Sequence, residues 1–238
     1  AYEANVPICF FIDEIQYMKA EELGALIAAL HRSNQLGYPL MIVGAGLPKI
    51  YKMLADKKTY AERLFVYQEI GSLNFEQAKK AIEEPARKFN VTYTQEAVNR
   101  IAEISKGYPF FIQQLCQIVY QETPGSQITG TDVDLILEDF FETLDNGFFK
   151  VRYERCADSD KKFIFAMVKC GELPCTISNI AQNLNKSVTA ISTTRAQLIR
   201  KGLIYPVRYK ELDFTVPEFS GFIKRLDEYT EWCKECEK

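Results

Sequence analysis

Hydrophobic spacing changes along this chain from continuous runs to helical stripes. Pro7 precedes an unbroken apolar run, Ile8, Cys9, Phe10, Phe11 and Ile12, which stops at Asp13-Glu14. Such a run suits a parallel strand covered on both faces, because alternation is needed only where one face meets water. Leu23, Leu26, Ile27 and Leu30 then share one face of a helix expected over 20–32. After Pro39, Leu40, Met41, Ile42 and Val43 form a second run, ended by Gly44-Ala45-Gly46. Strand, helix and strand in this order make a βαβ unit. A third short strand is expected over 64–70, after the polar stretch 57–62.

From Asn74 onward the spacing is helical. Asn74 with Gln77 forms a capping-box pattern opening a helix toward Phe89, and Thr94 caps a second helix whose Val98 and Ile101 share a face. Gly107-Tyr108-Pro109 breaks the chain before a third, strongly apolar helix carrying Phe110, Phe111, Leu115, Ile118 and Val119. A fourth is expected over 131–145, with Asn146-Gly147 as the next break. Beyond it come helices over 159–169, 176–184 and 187–201. A hairpin follows, Leu203 to Tyr205 and Leu212 to Val216, around the basic turn Arg208-Tyr209-Lys210. Three helices and a hairpin are the winged-helix plan, and 217–236 reads as a closing helix.

Composition adds bounds to this picture. At 238 residues, two domains are the natural expectation. Apolar residues at 47% and charged residues at 26%, without low-complexity tracts, predict a folded protein throughout. No apolar run approaches the roughly 20 residues of a membrane-spanning helix, so no membrane partner is expected and the compartment reads as cytoplasmic. Seven cysteines, scattered through apolar segments, read as reduced thiols. Cys233 and Cys236 form a lone C-x-x-C, either two positions on a terminal helix or half of a zinc site. The net charge of -3 is uneven: residues 150–210 hold twelve Lys and Arg against four Asp and Glu. Any nucleic-acid surface therefore belongs to the C-terminal half.

An apolar strand delivering Asp13-Glu14 to its carboxyl end is the Walker B pattern. The first carboxylate of such a pair holds Mg2+ through water, and the second polarises an attacking water; the plainer reading is a pair of acids capping the next helix. Nothing matches the phosphate-binding loop G-x-x-x-x-G-K-[ST]. Gly44-Ala45-Gly46-Leu47-Pro48-Lys49 is the nearest glycine cluster, and Pro48 removes a backbone donor there. With Ala1 first and the acid-tipped strand following almost at once, that loop is expected upstream, in a longer protein.

Taken together, Phe10-Phe11-Ile12-Asp13-Glu14-Ile15-Gln16, Val43-Gly44-Ala45-Gly46-Leu47-Pro48, Tyr60-Ala61-Glu62-Arg63-Leu64-Phe65 and Gly107-Tyr108-Pro109-Phe110-Phe111-Ile112-Gln113 resemble prokaryotic AAA+ ATPases of the origin-recognition-like and STAND-like branch. So do Ser187-Val188-Thr189, Arg195 to Ile199, Gly202 to Tyr205 and Phe214 to Pro217, which resemble the winged helix such proteins carry. The resemblance implies an α/β plus mostly α architecture in three parts. Residues 1–72 would hold part of a P-loop ATPase parallel sheet, 73–148 a helical lid bundle, and 149–238 a winged-helix domain.

The resemblance further implies ATP and Mg2+ as cofactors of the intact protein, with neither expected on this chain alone. Asp13 would assist the magnesium and Glu14 would activate water. Arg63 would be an arginine finger toward a neighbouring subunit, or else an ordinary surface arginine. Gly107, Tyr108 and Pro109 would pack near the adenine. No polar sensor is evident at the end of the second strand, where Gly44, Ala45 and Gly46 stand. In the winged helix, Thr189, Ser192, Thr193 and Arg195 would face base edges, while Arg200, Lys201, Arg208 and Lys210 would meet phosphates of double-stranded DNA. The alternative partner is a protein, as in a STAND-like signalling or defence switch. A sheet left open at its edge also predicts self-association through residues 1–70.

Overall fold

The computed structural model describes residues 6–47, 50, 53 and 61–236. They form two units, residues 1–70 and 71–238.

In the first unit, β1 (Ile8–Ile12) pairs in parallel with β2 (Leu40–Gly44), from Ile8 opposite Leu40 to Ile12 opposite Gly44. The helix α1 (Ala20–Gln35) joins them, and its Leu23 and Ile27 are buried with Ile15. The βαβ unit thus forms as its hydrophobic spacing requires. Cover on both strand faces does not: Phe11 is 79% exposed, Met41 57% and Phe10 52%. The described residues supply β1 and β2 with too few neighbours to bury runs that are apolar on both sides. The strand expected over 64–70 is also absent; a short helix, α2 (Ala61–Leu64), is followed by irregular chain. Leu64 and Phe65 pack against the small core while Val66 and Ile70 stand in solvent, and no strand pairs with this segment among the described residues. Pro48 and Tyr60, part of the resemblance above, and Lys49 of the glycine cluster lie outside the described residues.

The second unit opens with α3 (Phe75–Arg87), α4 (Gln95–Ser105) and α5 (Pro109–Glu122). The expected caps are present. Gln77 N donates to Asn74 Oδ1 at 3.0 Å, Asn74 N donates to Gln77 Oε1 at 3.0 Å, and Ala97 N donates to Thr94 Oγ1 at 3.3 Å. Two short strands, β3 (Thr92–Tyr93) and β4 (Gln127–Ile128), pair in parallel across the helix ends. The fourth helix differs from expectation: it comes as α6 (Gly130–Leu135) and α7 (Leu137–Thr143), then a π-helical segment Leu144–Phe149 that runs into α8 (Lys150–Glu154). Asn146-Gly147 does not break the chain. Leu144 and Phe149 on either side are buried, and Phe149 stacks on Phe222 with ring centroids 5.5 Å apart, so tertiary packing overrides the local turn signal.

There follow α9 (Asp158–Lys169), β5 (Cys175–Thr176), α10 (Ile177–Asn183), α11 (Ser192–Arg200), β6 (Ile204–Arg208), β7 (Glu211–Phe214), α12 (Phe219–Arg225) and α13 (Asp227–Cys236). The three strands form an antiparallel sheet in the order β5-β7-β6. The helix α11 starts five residues later than its spacing predicts. Ala190 N donates to Ser187 Oγ at 3.2 Å, and Ser192 Oγ donates to the Thr189 carbonyl at 2.7 Å; these local bonds hold 187–191 as turns. The closing helix is split at Leu226 into α12 and α13. One continuous core, from Ala78 on α3 to Ile223 on α12, unites the whole second unit. Among the described residues no helix is long and apolar enough to cross a membrane.

Candidate functional site

At the carboxyl end of β1 the chain turns sharply, and both Asp13 and Glu14 are exposed there. Glu14 N donates to Asp13 Oδ1 at 2.8 Å. Glu14 itself has φ 50°, in the left-handed region that favours glycine. That strain is held by bonds to the loop after β2: Ala45 N donates to the Ile12 carbonyl at 2.9 Å and Ile15 N to the Ala45 carbonyl at 3.0 Å.

Between the two loops lies the buried amide of Gln16. Its Nε2 donates to the Glu14 carboxylate, and its Oε1 accepts from Leu47 N at 3.2 Å. A Cβ at Gly46 would come within 2.4 Å of Gln16 Oε1, so a larger residue there would push the amide out of this position. Gln16 is thus a site residue to which no role was given from sequence. Its signal was a polar residue two places beyond the acid pair, next to Ile15 of the core. A polar sensor is missing from Gly44-Ala45-Gly46 itself, yet an amide is bonded to that loop from the β1 side.

Among the described residues no cluster of three or more His, Cys, Asp or Glu could hold a metal. The exposed carboxylates fit the outer part of a Mg2+ site, since Mg2+ keeps several waters and takes one or two carboxylates beside phosphate oxygens. Arg63, on α2, is exposed in the same unit.

The second unit contains a cleft of about 350 Å³ lined in part by Leu73, Phe75, Ala78, Asn99, Lys106 and Gly107. This is the low end of ligand-pocket sizes, about 300–1,000 Å³. Gly107 has φ +70°, its carbonyl accepts from Leu73 N at 2.8 Å, and a Cβ there would meet Leu73 O at 2.1 Å. Of the three residues expected near an adenine, Gly107 lines the cleft. Tyr108 turns toward the core, its ring edge-on to Phe111 at 4.9 Å, and Pro109 begins α5. Lys106 Nζ leaves the cleft wall to meet Glu218 Oε1 at 2.6 Å.

Seven of the eight residues expected to meet DNA are exposed: Thr189, Ser192, Thr193, Arg200 and Lys201 along α11 and its two ends, Arg208 and Lys210 on the β6–β7 hairpin. Two of the eight, Lys201 and Arg195, are engaged differently. Lys201 Nζ donates to Asp160 Oδ2 at 2.6 Å and to the Arg155 carbonyl at 3.0 Å, pinning the end of α11 to α9. Asp160 is fully buried, so removing Lys201 would leave its carboxylate buried without its cation. Its sequence signal was an acid two residues into α9, indistinguishable from a solvated first-turn acid. Arg195 is half-buried, with a buried Nε that has no hydrogen-bond partner. Across the hairpin from Tyr205, burial raises the Asp213 carboxyl above its ordinary value.

Residues 146–223 match a family described as Domain of unknown function (DUF8462). No curated protein matches the chain in sequence. Solved structures give likeness of fold. The Walker-type ATPase paby2304 of Pyrococcus abyssi is similar at a TM-score of 0.65 and 13% identity, covering 92% of this chain and 63% of that one. RuvB of Thermotoga maritima, as a single-site variant, is similar at 0.51 and 18%, covering 91% and 69%. The Thermotoga maritima structure titled RuvB Holliday junction branch migration motor gives 0.50 and 18% over the same shares. The chain shares the fold of these structures.

Proposed function

We propose that this chain is part of a nucleotide-switched AAA+ ATPase. In this reading residues 1–72 belong to the ATPase core, 73–148 form its helical lid, and 149–238 are a winged-helix domain that binds double-stranded DNA. One observation carries the DNA assignment. The order α9, β5, α10, α11, β6, β7, with the sheet arranged β5-β7-β6, leaves the polar face of α11 and the basic hairpin tip exposed together on one segment. A helix presenting Thr189, Ser192 and Thr193 suits base edges in the major groove, and Arg200, Arg208 and Lys210 suit phosphates.

In the ATPase part, Asp13 offers the carboxylate that would meet hydrated Mg2+, and Glu14 is the base that would polarise water. Gln16 fixes where the Glu14 carboxylate points. Bound Mg2+ supplies charge neutralisation of the phosphates. Arg63 would act on a neighbouring subunit. Cradling the phosphates needs the backbone donors of a glycine-rich loop, whose motif these 238 residues do not contain. Because the second unit has one core, a nucleotide that moves the lid carries the winged helix with it.

The STAND-like reading, in which the winged helix binds protein, is favoured by two ties between the lid helices and α12. Lys106 pairs with Glu218 at 2.6 Å, and Arg225 is bidentate to Asp145 at 2.6 and 2.7 Å. Such ties suit a clamp. Titrating random duplex DNA at two salt concentrations separates the readings. DNA binding through phosphates gives affinity that falls steeply with salt, and Arg208→Ala with Lys210→Ala lowers the logarithmic slope by about two. Undetectable binding at low salt would transfer the assignment to a protein partner.

A further inference from the structure

The tip of the β6–β7 hairpin carries a feature that phosphate contacts leave unexplained. Tyr209 is 87% exposed, the most exposed aromatic ring among the described residues. It sits in the two-residue turn Tyr209-Lys210, where Lys210 has φ 65°, so the tight turn holds the ring outward. Arg208 and Lys210 flank it, and Lys210 Nζ lies 5.0 Å from the ring centroid. No salt bridge involves either cation among the described residues.

The same hairpin is poorly built for a peptide strand. β6 is the edge of its sheet, but Pro206 removes a donor from it and the register shifts between Pro206 and Arg208. Prolines and bulges on an edge block strand addition. An exposed aromatic between two cations without salt-bridge partners fits a nucleobase instead, since every base has a π-face and the cations can meet the phosphates on either side.

Within continuous duplex that face is covered by the next base pair, and reaching it costs a few kcal/mol of unstacking. Where duplex opens into single strands, the terminal pair exposes its face. We propose that Tyr209 stacks on the exposed base at a duplex-to-single-strand transition, so that the C-terminal segment prefers forked DNA over continuous duplex. The proposal rests on the DNA-binding reading given above; the DNA class is what it adds.

The test titrates the 238-residue chain against two DNAs of equal duplex length at one salt concentration. One is a dumbbell whose ends are closed by hairpin loops; the other is a fork with two unpaired tails and 2-aminopurine at the opening. The fork should bind about tenfold more tightly, the equivalent of one stacked base, with quenching of the 2-aminopurine. Tyr209→Ala should lower fork affinity to that of the dumbbell and abolish the quenching, while Tyr209→Phe, which keeps the ring, should retain both. Equal affinity of wild type for fork and dumbbell, or a fork preference that survives Tyr209→Ala, overturns the stacking proposal and leaves DNA binding standing. Failure to bind either DNA at low salt overturns the DNA-binding reading and this proposal with it.

Discussion

The two units of this chain solve the same problem with unequal means. Residues 71–238 bury an unbroken core that reaches from the helices after Asn74 to α12, stacked through Phe111, Phe140, Phe149 and Phe222. Among the described residues of 1–70 the buried cluster is Ile15, Leu23 and Ile27, while Phe10, Phe11 and Met41 stand exposed on strands whose sequence is apolar on both faces. The second unit completes itself from its own sequence. The first has a sequence suited to more neighbours than its described residues provide, and this is the sequence that carries the acid pair.

The largest expected contrast lies in core truncation. Phe149→Ala removes a fully buried ring that meets Phe111, Phe219 and Phe222, and should cost about 3–5 kcal/mol. Urea unfolding followed by the single tryptophan, Trp232, reads this, because its ring packs 5.7 Å from Phe165 in the second unit. A loss below about 1 kcal/mol would mean the aromatic stack does not unite that unit. Next is Gly107→Ala, expected to cost about 1–3 kcal/mol, because a positive φ and the Leu73 carbonyl both oppose a Cβ. Gly147→Ala, with nothing within 4 Å of the added carbon, should be neutral or slightly stabilising. The smallest effect belongs to the first unit. Phe11→Ser should change stability by no more than about 0.5 kcal/mol, while light scattering shows reduced self-association. Equal association by wild type and variant would remove the exposed strand face as its cause.

How far the sequence could be read follows the same division. Local signals held wherever a few residues decide the outcome: the Asn74 and Thr94 caps, the acid-tipped strand, the parallel β1–β2 pair, and the helices and hairpin of the C-terminal segment. They failed where distant packing decides. Asn146-Gly147 reads as a turn, but Phe149 anchored on α12 draws it into a helical run from Leu137 to Glu154 that passes through residues 148–149. Residues 64–70 read as a strand, yet no partner ladder reaches them among the described residues. In the candidate sites, residue type showed which side chains carry chemistry but not which are already engaged. Lys201 and Arg200 are adjacent cations in sequence; only the fold shows that Lys201 faces the buried Asp160 and Arg200 faces solvent. Gln16 acts through a bond to Leu47, thirty-one residues away, which no local pattern encodes.

The central claim is that the C-terminal segment meets DNA through α11 and the hairpin tip. Amide hydrogen exchange on the 238-residue chain, alone and saturated with duplex DNA, tests it most directly. Slowed exchange concentrated in residues 187–200 and 205–212, with residues 8–44 unchanged, is the result this account predicts. Protection that falls on residues 8–44 instead, or none along α11 at saturation, would contradict it.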